Sequence, residues 1–280
     1  MNTKTSMGRA TFVITIRIIL FIFVIITIYP MIFTIITSLK SSNEFYNNIW
    51  LLPKDFAWEN YTYAWVTASI GKYFLSSIIV VSLTVGSTII FSALAGYSLA
   101  KLDVPKANLI MIVIFLFTML PSESIIMPMY IMMSKAKLTG TYQSLIFPFI
   151  GWGMALAIYI YRNFFKTIPT EIIEAARIDG CSEIRTFLKV VMPLMLPATA
   201  TNAIFLFLGW WGELLWSSIE LSTSSIKTLP LGIVAFVQSS GTNWGPLTAA
   251  CCIVLIPVVI FFLFTQRYFI SGLTGGAVKG

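Results

Sequence analysis

Glu174-Ala175-Ala176-Arg177-Ile178-Asp179-Gly180, with a proline nineteen residues beyond the glutamate at Pro193, forms a polar stretch between two long apolar runs. What lies on either side decides the fold. Tyr142 to Tyr161 precedes it and Leu194 to Trp216 follows, each close to the ~20 residues a helix needs to cross a bilayer. Four more runs of this kind occur at Ile18–Thr37, Tyr73–Ala100, Leu109–Met133 and Leu247–Thr265. The fold class expected is therefore an all-α integral membrane protein with six transmembrane helices.

Composition agrees. The chain is 58% hydrophobic and 10% charged, whereas soluble domains carry about a quarter charged residues. The net charge of +7 is spread over the links between apolar runs, with no basic face interleaved with stacking aromatics. Nucleic acid is therefore not an expected partner. Histidine is absent, which removes the commonest general base and metal ligand. Cys251 and Cys252 adjoin within an apolar run and Cys181 lies far away, so no metal or disulfide framework is read from them. No Gly-x-x-x-x-Gly-Lys-Ser/Thr stretch is present to cradle a nucleotide.

The links carry the organisation. Residues 1–17 hold Lys4, Arg9 and Arg17 without an acid, and the run after them is too long for a signal-peptide core. It reads as an uncleaved first span, kinked at Pro30. The link 38–72 mixes charges with Trp50, Phe56, Trp58, Tyr61, Tyr63 and Trp65, aromatics that suit a membrane interface. Ser, Gly and Ala crowd the second run, which predicts a helix packed inside a bundle. Pro121-Ser122-Glu123 and Pro128 predict a broken outer half for the third. Residues 217–245 read as a Ser- and Gly-rich polar link. Twelve basic residues fall on one side of the spans and six on the other. By that bias both termini and the Glu174 stretch are cytoplasmic.

Within that stretch, Thr170 after Pro169 is placed to cap a helix, with Glu171 and Glu174 near its positive end. Gly180 supplies a left-handed terminator. Ser182 can cap a second short helix towards Val191, and Pro193 marks the junction to the fifth span. Glu171, Glu174 and Asp179 against Arg177 are the wrong charge for a helix lying on anionic lipid. Ile172, Ile173, Ala175 and Ala176 share an arc that can rest on the protein, whereas Ile178 projects between Glu171 and Glu174. An isoleucine among acids suits a partner's pocket, but single exposed apolar residues are also ordinary; the residues alone leave both readings open.

Glu-Ala-Ala at 174–176, glycine six residues after the glutamate and a hydrophobic-x-hydrophobic-Pro ending at Pro193 resemble the EAA loop of binding-protein-dependent ABC importer permeases. The wider stretch through Cys181, with Phe187, resembles the carbohydrate-importing branch. Tyr29-Pro30, Thr37-Ser38-Leu39-Lys40 and the tail Gln266 to Gly280 are similar to MalG-type subunits, so the resemblance runs along nearly the whole chain. Cys181, Val190 and Met192 depart from it by hydrophobic swaps.

The resemblance implies a type I ABC importer (MetI-like) permease fold. In it residues 1–17 form a cytoplasmic amino end, and 18–268 a permease domain with a cytoplasmic coupling loop at 162–193. Residues 269–280 form a cytoplasmic tail in the bacterial inner membrane protein. It implies a carbohydrate import permease, an oligosaccharide or disaccharide being the expected cargo and glycerol-phosphate or another polar solute the alternative. The partners implied are a homologous second permease, two ATP-binding subunits that hold ATP and Mg, an extracytoplasmic solute-binding protein, and membrane lipid. Glu174, Ala175, Ala176, Ile178, Asp179, Gly180 and Pro193 are the expected coupling residues, and Gly275, Gly276 and Lys279 the expected tail contact. No catalytic residue, bound cofactor or metal is expected. Substrate-path candidates are Glu123 and Glu213, acids near span ends, and the Trp210-Trp211 pair, for which bundle packing is the plainer role. A standalone secondary transporter would need paired intramembrane charges or inverted repeats, and a membrane enzyme a nucleophile–base cluster. Neither is visible in the sequence.

Overall fold

Apolar runs this long form helices because a backbone in hydrocarbon must satisfy its own polar groups. A computed structural model describes residues 3–240 and 243–277, with side chains placed for 12–121, 123–238 and 243–266. In chain order the helices are α1 (Thr3–Ser38), α2 (Ser42–Asn47), α3 (Glu59–Thr62), α4 (Ile70–Lys101), α5 (Ala107–Thr118) and α6 (Ser122–Lys135). They continue with α7 (Gln143–Thr167), α8 (Thr170–Ile178), α9 (Glu183–Thr186), α10 (Met192–Leu194) and α11 (Leu196–Trp211). The last are α12 (Leu215–Glu220), α13 (Leu229–Ser240) and α14 (Trp244–Ala277). No strand occurs among the described residues.

Four helices are long and apolar enough to span a membrane: Phe12–Ser38, Ile70–Lys101, Gln143–Thr167 and Trp244–Gln266. Two bent pairs bring the number to six when each is counted as one broken span. Ala107–Thr118 and Glu123–Lys135 meet at 98°, and Glu183–Leu194 meets Leu196–Trp211 at 77°. The first break falls at Pro121, whose ring disfavours helical backbone at Leu120. Pro128 lies inside α6 without interrupting it. Helix α1 likewise runs on through Pro30, and Thr34 Oγ1 donates to the Pro30 carbonyl.

Two departures from the sequence reading are structural. Helices occupy more than half of the link 217–245, chiefly α13. Leu229 is buried with its N–H donating to Ser77 Oγ, and Gly232 lies where any Cβ would collide with the Tyr73 ring. Helix α7 also continues six residues past Tyr161, to Thr167.

Contacts divide the chain into two units, residues 1–71 with 233–255 and residues 72–232 with 256–280. In the first unit, Lys40 is fully buried and its Nζ donates to the carbonyls of Asn48 (2.8 Å) and Ile49 (2.9 Å). Burial pushes its ammonium below the ordinary 10.5, with the Glu44 carboxylate opposing. Asn60 Nδ2 donates to the Ser38 and Lys40 carbonyls, so α1's end is tied down from two sides.

In the second unit, α4 and α7 touch backbone to backbone. A Cβ at Gly96 would lie 2.8 Å from Tyr161 Cβ and 3.1 Å from the Arg162 nitrogen. A separate core of Val80, Met133, Leu145, Phe149, Trp216 and Leu221 seats α12. Glu220, its last residue, is also fully buried, with neither carboxylate oxygen hydrogen-bonded among the described residues. Burial pushes its carboxyl above the ordinary 4.5. The Ser144 hydroxyl opposes this only in part, because it donates to the Thr141 carbonyl.

Two measurements test this packing. Gly96→Ala is expected to cost about 1–3 kcal/mol by overpacking against groups that cannot swing away, read as a lower Tm of the purified complex. For Glu220, the raised native pKa means that the folded state holds a proton the unfolded state has lost. Its stability contribution is therefore complete below pH 4.5 and is lost as pH rises through the native value. Glu220→Gln, permanently neutral, is expected to melt progressively higher than the parent as pH is raised from 4.5. A Tm difference independent of pH would show that Glu220 is ionised in the folded protein.

Candidate coupling site

The polar stretch folds as helix, turn, helix. Helix α8 starts at Thr170 itself, with Pro169 at the N-cap position and no side-chain cap. Thr170 is therefore not the cap expected from sequence. Proline fixes its own φ and holds Ile168 extended, so the turn needs no hydroxyl. At the other end Gly180 has φ +78°. The Cys181 N–H bonds the Ala176 carbonyl and the Gly180 N–H bonds that of Arg177, the paired bonds of a Schellman ending. Ser182 does cap α9, accepting from the Arg185 N–H at 3.4 Å. Arg177 Nε pairs with Glu183 Oε1 at 2.7 Å across the turn. That bond, and then the Glu183 charge, raise the Arg177 guanidinium further above its ordinary range. In solvent such a pair adds little stability, and the turn itself is closed by the backbone bonds of Cys181 and Gly180.

One face of this hairpin is seated. Ile173 (2% exposed) and Ala176 (6%) are buried. Ile173 packs with Ala93 and Tyr97 of α4, Tyr161 and Phe165 of α7, Phe187, Val191, Met195 and Ala198 in one core. The seat is narrower than the expected four-residue arc, since Ile172 and Ala175 remain exposed. Residues three apart, rather than a broad stripe, suffice for a nine-residue helix that touches the bundle along one line.

The opposite face is free. Ile178 is 86% exposed, and Glu171, Glu174, Ala175, Asp179 and Gly180 are exposed around it. Nothing lies within 4 Å of a Cβ placed on Gly180. Ile184 on α9, which sequence reasoning did not single out, is 73% exposed beyond the turn. The signal that would have found it is an apolar residue two positions after the Ser182 cap, between the charged Glu183 and Arg185. Pro193 is exposed within α10, after a π-helical turn at Phe187–Val191.

The remaining candidates are scattered. Glu213 accepts from the N–H groups of Trp216 (2.6 Å) and Ser217 (3.1 Å), and from Ser217 Oγ (2.8 Å). It is the anchor of α12's first turn. Trp210 stacks on Phe149 at 4.5 Å and Trp211 on Phe207 at 5.4 Å, so both rings pack against the bundle's own side chains. Glu123 stands exposed in the first turn of α6, just past the bend. Gly275 and Gly276 belong to the last turn of α14; Lys279 lies outside the described residues.

Comparison with known proteins agrees with this geometry. Residues 89–275 match the family described as binding-protein-dependent transport system inner membrane component. The arabinooligosaccharides transport system permease protein AraQ of Halalkalibacterium halodurans is 34% identical over 259 residues, 91% of this chain and 92% of that protein. The trehalose/maltose transport system permease protein MalG of Thermococcus litoralis is 32% identical over 259 residues, 91% of this chain and 93% of that one. A solved bacterial ABC transporter that imports the acidic polysaccharide alginate superposes with a TM-score of 0.79 at 23% identity. The match covers 94% of this chain and 98% of that one. This last likeness is one of fold.

Proposed function

The chain belongs to the family of binding-protein-dependent transport system inner membrane components, and on that footing we propose that it is one of two permease subunits of a carbohydrate ABC importer. The observation that carries the reading is the two-faced hairpin at 170–186. One face is locked into the core by Ile173 and Ala176, and the other presents Ile178 among acids, 86% exposed among the described residues. A single exposed isoleucine is ordinary by itself; it supports docking here because it stands 86% exposed among acids in a stretch that the family match covers.

The occupant of that face is a cytoplasmic ATP-binding subunit, with Glu174, Ala175, Ala176, Ile178, Asp179 and Gly180 as the docking residues. Ala176 takes part through its backbone and the helix ending, since its side chain faces inward. ATP and Mg are held by that subunit. This chain supplies the lever. When the two ATP-binding subunits close, α8 is displaced, the core around Ile173 carries the ends of α4 and α7 with it, and the bundle tilts between inward- and outward-facing states. A solute-binding protein delivers the sugar on the outer side and the second permease completes the path. Relatives named for arabinooligosaccharide and trehalose/maltose transport support an oligosaccharide or disaccharide as cargo. Among the substrate-path candidates, Glu123 is exposed. Trp210, Trp211 and Glu213 serve the bundle's packing. Both termini lie in the cytoplasm, where Gly275, Gly276 and Lys279 are placed to reach the ATP-binding subunits.

Glu174→Lys and Ile178→Asp alter exposed side chains and are expected to leave membrane insertion intact. Each is expected to weaken ATPase docking by about 2 kcal/mol, roughly thirtyfold, as interface centres do. Co-purification of the ATP-binding subunits and binding-protein-dependent uptake are the readouts. Normal values of both in the two variants would sink the assignment.

A further inference from the structure

Helix α8 follows α7 through only two residues, Ile168 and Pro169. Besides the apolar seat of Ile173 and Ala176, this joint itself is held. Two half-buried cations tie the joint to other helices. Lys101, in the last turn of α4, donates from Nζ to the Ile168 carbonyl at 2.5 Å. That carbonyl is the acceptor immediately before the proline that starts α8. Arg162 of α7 donates from Nε to the Leu99 carbonyl of α4 at 3.1 Å, and from Nη2 to Asn108 Oδ1 in the first turn of α5.

These are not solvated surface charges. Lys106 and Lys166, close by in sequence, are exposed, whereas Lys101 and Arg162 are half-buried. Neither has a carboxylate partner among the described residues. Arg162 spends its charge on a carbonyl of α4's last turn, which lacks an intrahelical partner and sits at the negative end of the helix dipole. Lys101 satisfies a carbonyl in the non-helical joint. Between the two cations, Gly96 lets α4 lie directly on Tyr161 and Arg162, so there is no gap in which one helix could slide before the other follows.

We propose that Lys101 and Arg162 are positioning residues that transmit the displacement of the coupling helix to α4 and α5, a role that rests on the docking of α8 against an ATPase. Lys101 links the joint to α4. Arg162 links α7 to α4 and to α5, the first half of the pair bent by 98°. One node thus joins the force-receiving helix to three spans.

The test uses the complete importer reconstituted in liposomes with its second permease, ATP-binding subunits and binding protein. Lys101→Met keeps the length of the side chain and removes the donor. The expected result is an assembled complex that still hydrolyses ATP but transports about tenfold or more slowly, the size of losing a hydrogen bond made by a charged group. Lys101→Arg is expected to restore transport, since it can reach the same carbonyl. Arg162→Lys, which keeps the charge but cannot hold both acceptors, is expected to fall between. Unchanged transport by Lys101→Met would overturn the inference. So would loss of the ATP-binding subunits from that variant, or failure of Lys101→Arg to restore transport, since the residue would then be holding the fold. A parent complex that never retains the ATP-binding subunits would instead defeat the functional reading on which the inference rests.

Discussion

Every helix that ends inside or beside a bilayer leaves backbone donors and acceptors that water does not reach, and the solutions found for those ends organise this protein. Lys40 closes the carbonyls of Asn48 and Ile49. Ser77 Oγ receives the Leu229 N–H at the start of α13. Glu213 takes the N–H groups of Trp216 and Ser217. Lys101 reaches Ile168, and Arg162 reaches Leu99. In each case a charged or polar side chain is committed to a helix end or to the loop beside it.

The seat of α8 follows from the same economy. A nine-residue helix is too short to be stable alone, so its form depends on what it is fixed to. Ile173 and Ala176 fix it from below, the Schellman bonds close its end, and the exposed Arg177–Glu183 pair spans the turn to α9. None of these contacts uses Glu174, Ala175, Ile178 or Asp179 side chains, which is why the same helix can be rigid and still present an unoccupied face.

Much of this was legible in the sequence because it is written in local chemistry. The six apolar runs, the break at Pro121, the left-handed Gly180, the Ser182 cap and the outward Ile178 each depend on residues within a turn or two of one another. What was not legible depends on distant partners. Thr170 is the exception: its neighbour Pro169 takes the N-cap place, so the cause is local. Helix α13 was hidden because Ser and Gly dilute its apolar character, while its fixing points, Ser77 and Tyr73, lie about 150 residues away. Glu213 and the Trp pair drew attention as rare residue types near a span end, and only their neighbours reveal a cap and a stacked core. Lys101 and Arg162 were counted for orientation alone, since a charge count carries no information about which carbonyl a side chain will find.

The prolines around the coupling loop bear on how force would pass through it. Pro169 precedes α8, Pro193 sits in α10 and Pro197 starts α11. Each fixes its own φ and restricts the residue before it, so the two joints that connect the loop to the spans have few alternative conformations. Glycines at those joints would allow the loop to swing and dissipate a push in backbone rotation. The one glycine in the loop, Gly180, sits instead between α8 and α9 at the exposed turn, where its φ of +78° serves the helix ending and the flanking ion pair spans it. Stiff joints at the spans and a braced turn at the tip are the arrangement a lever requires. The 77° break at Met195 then becomes the corner at which a movement of the hairpin is turned into a movement of α11.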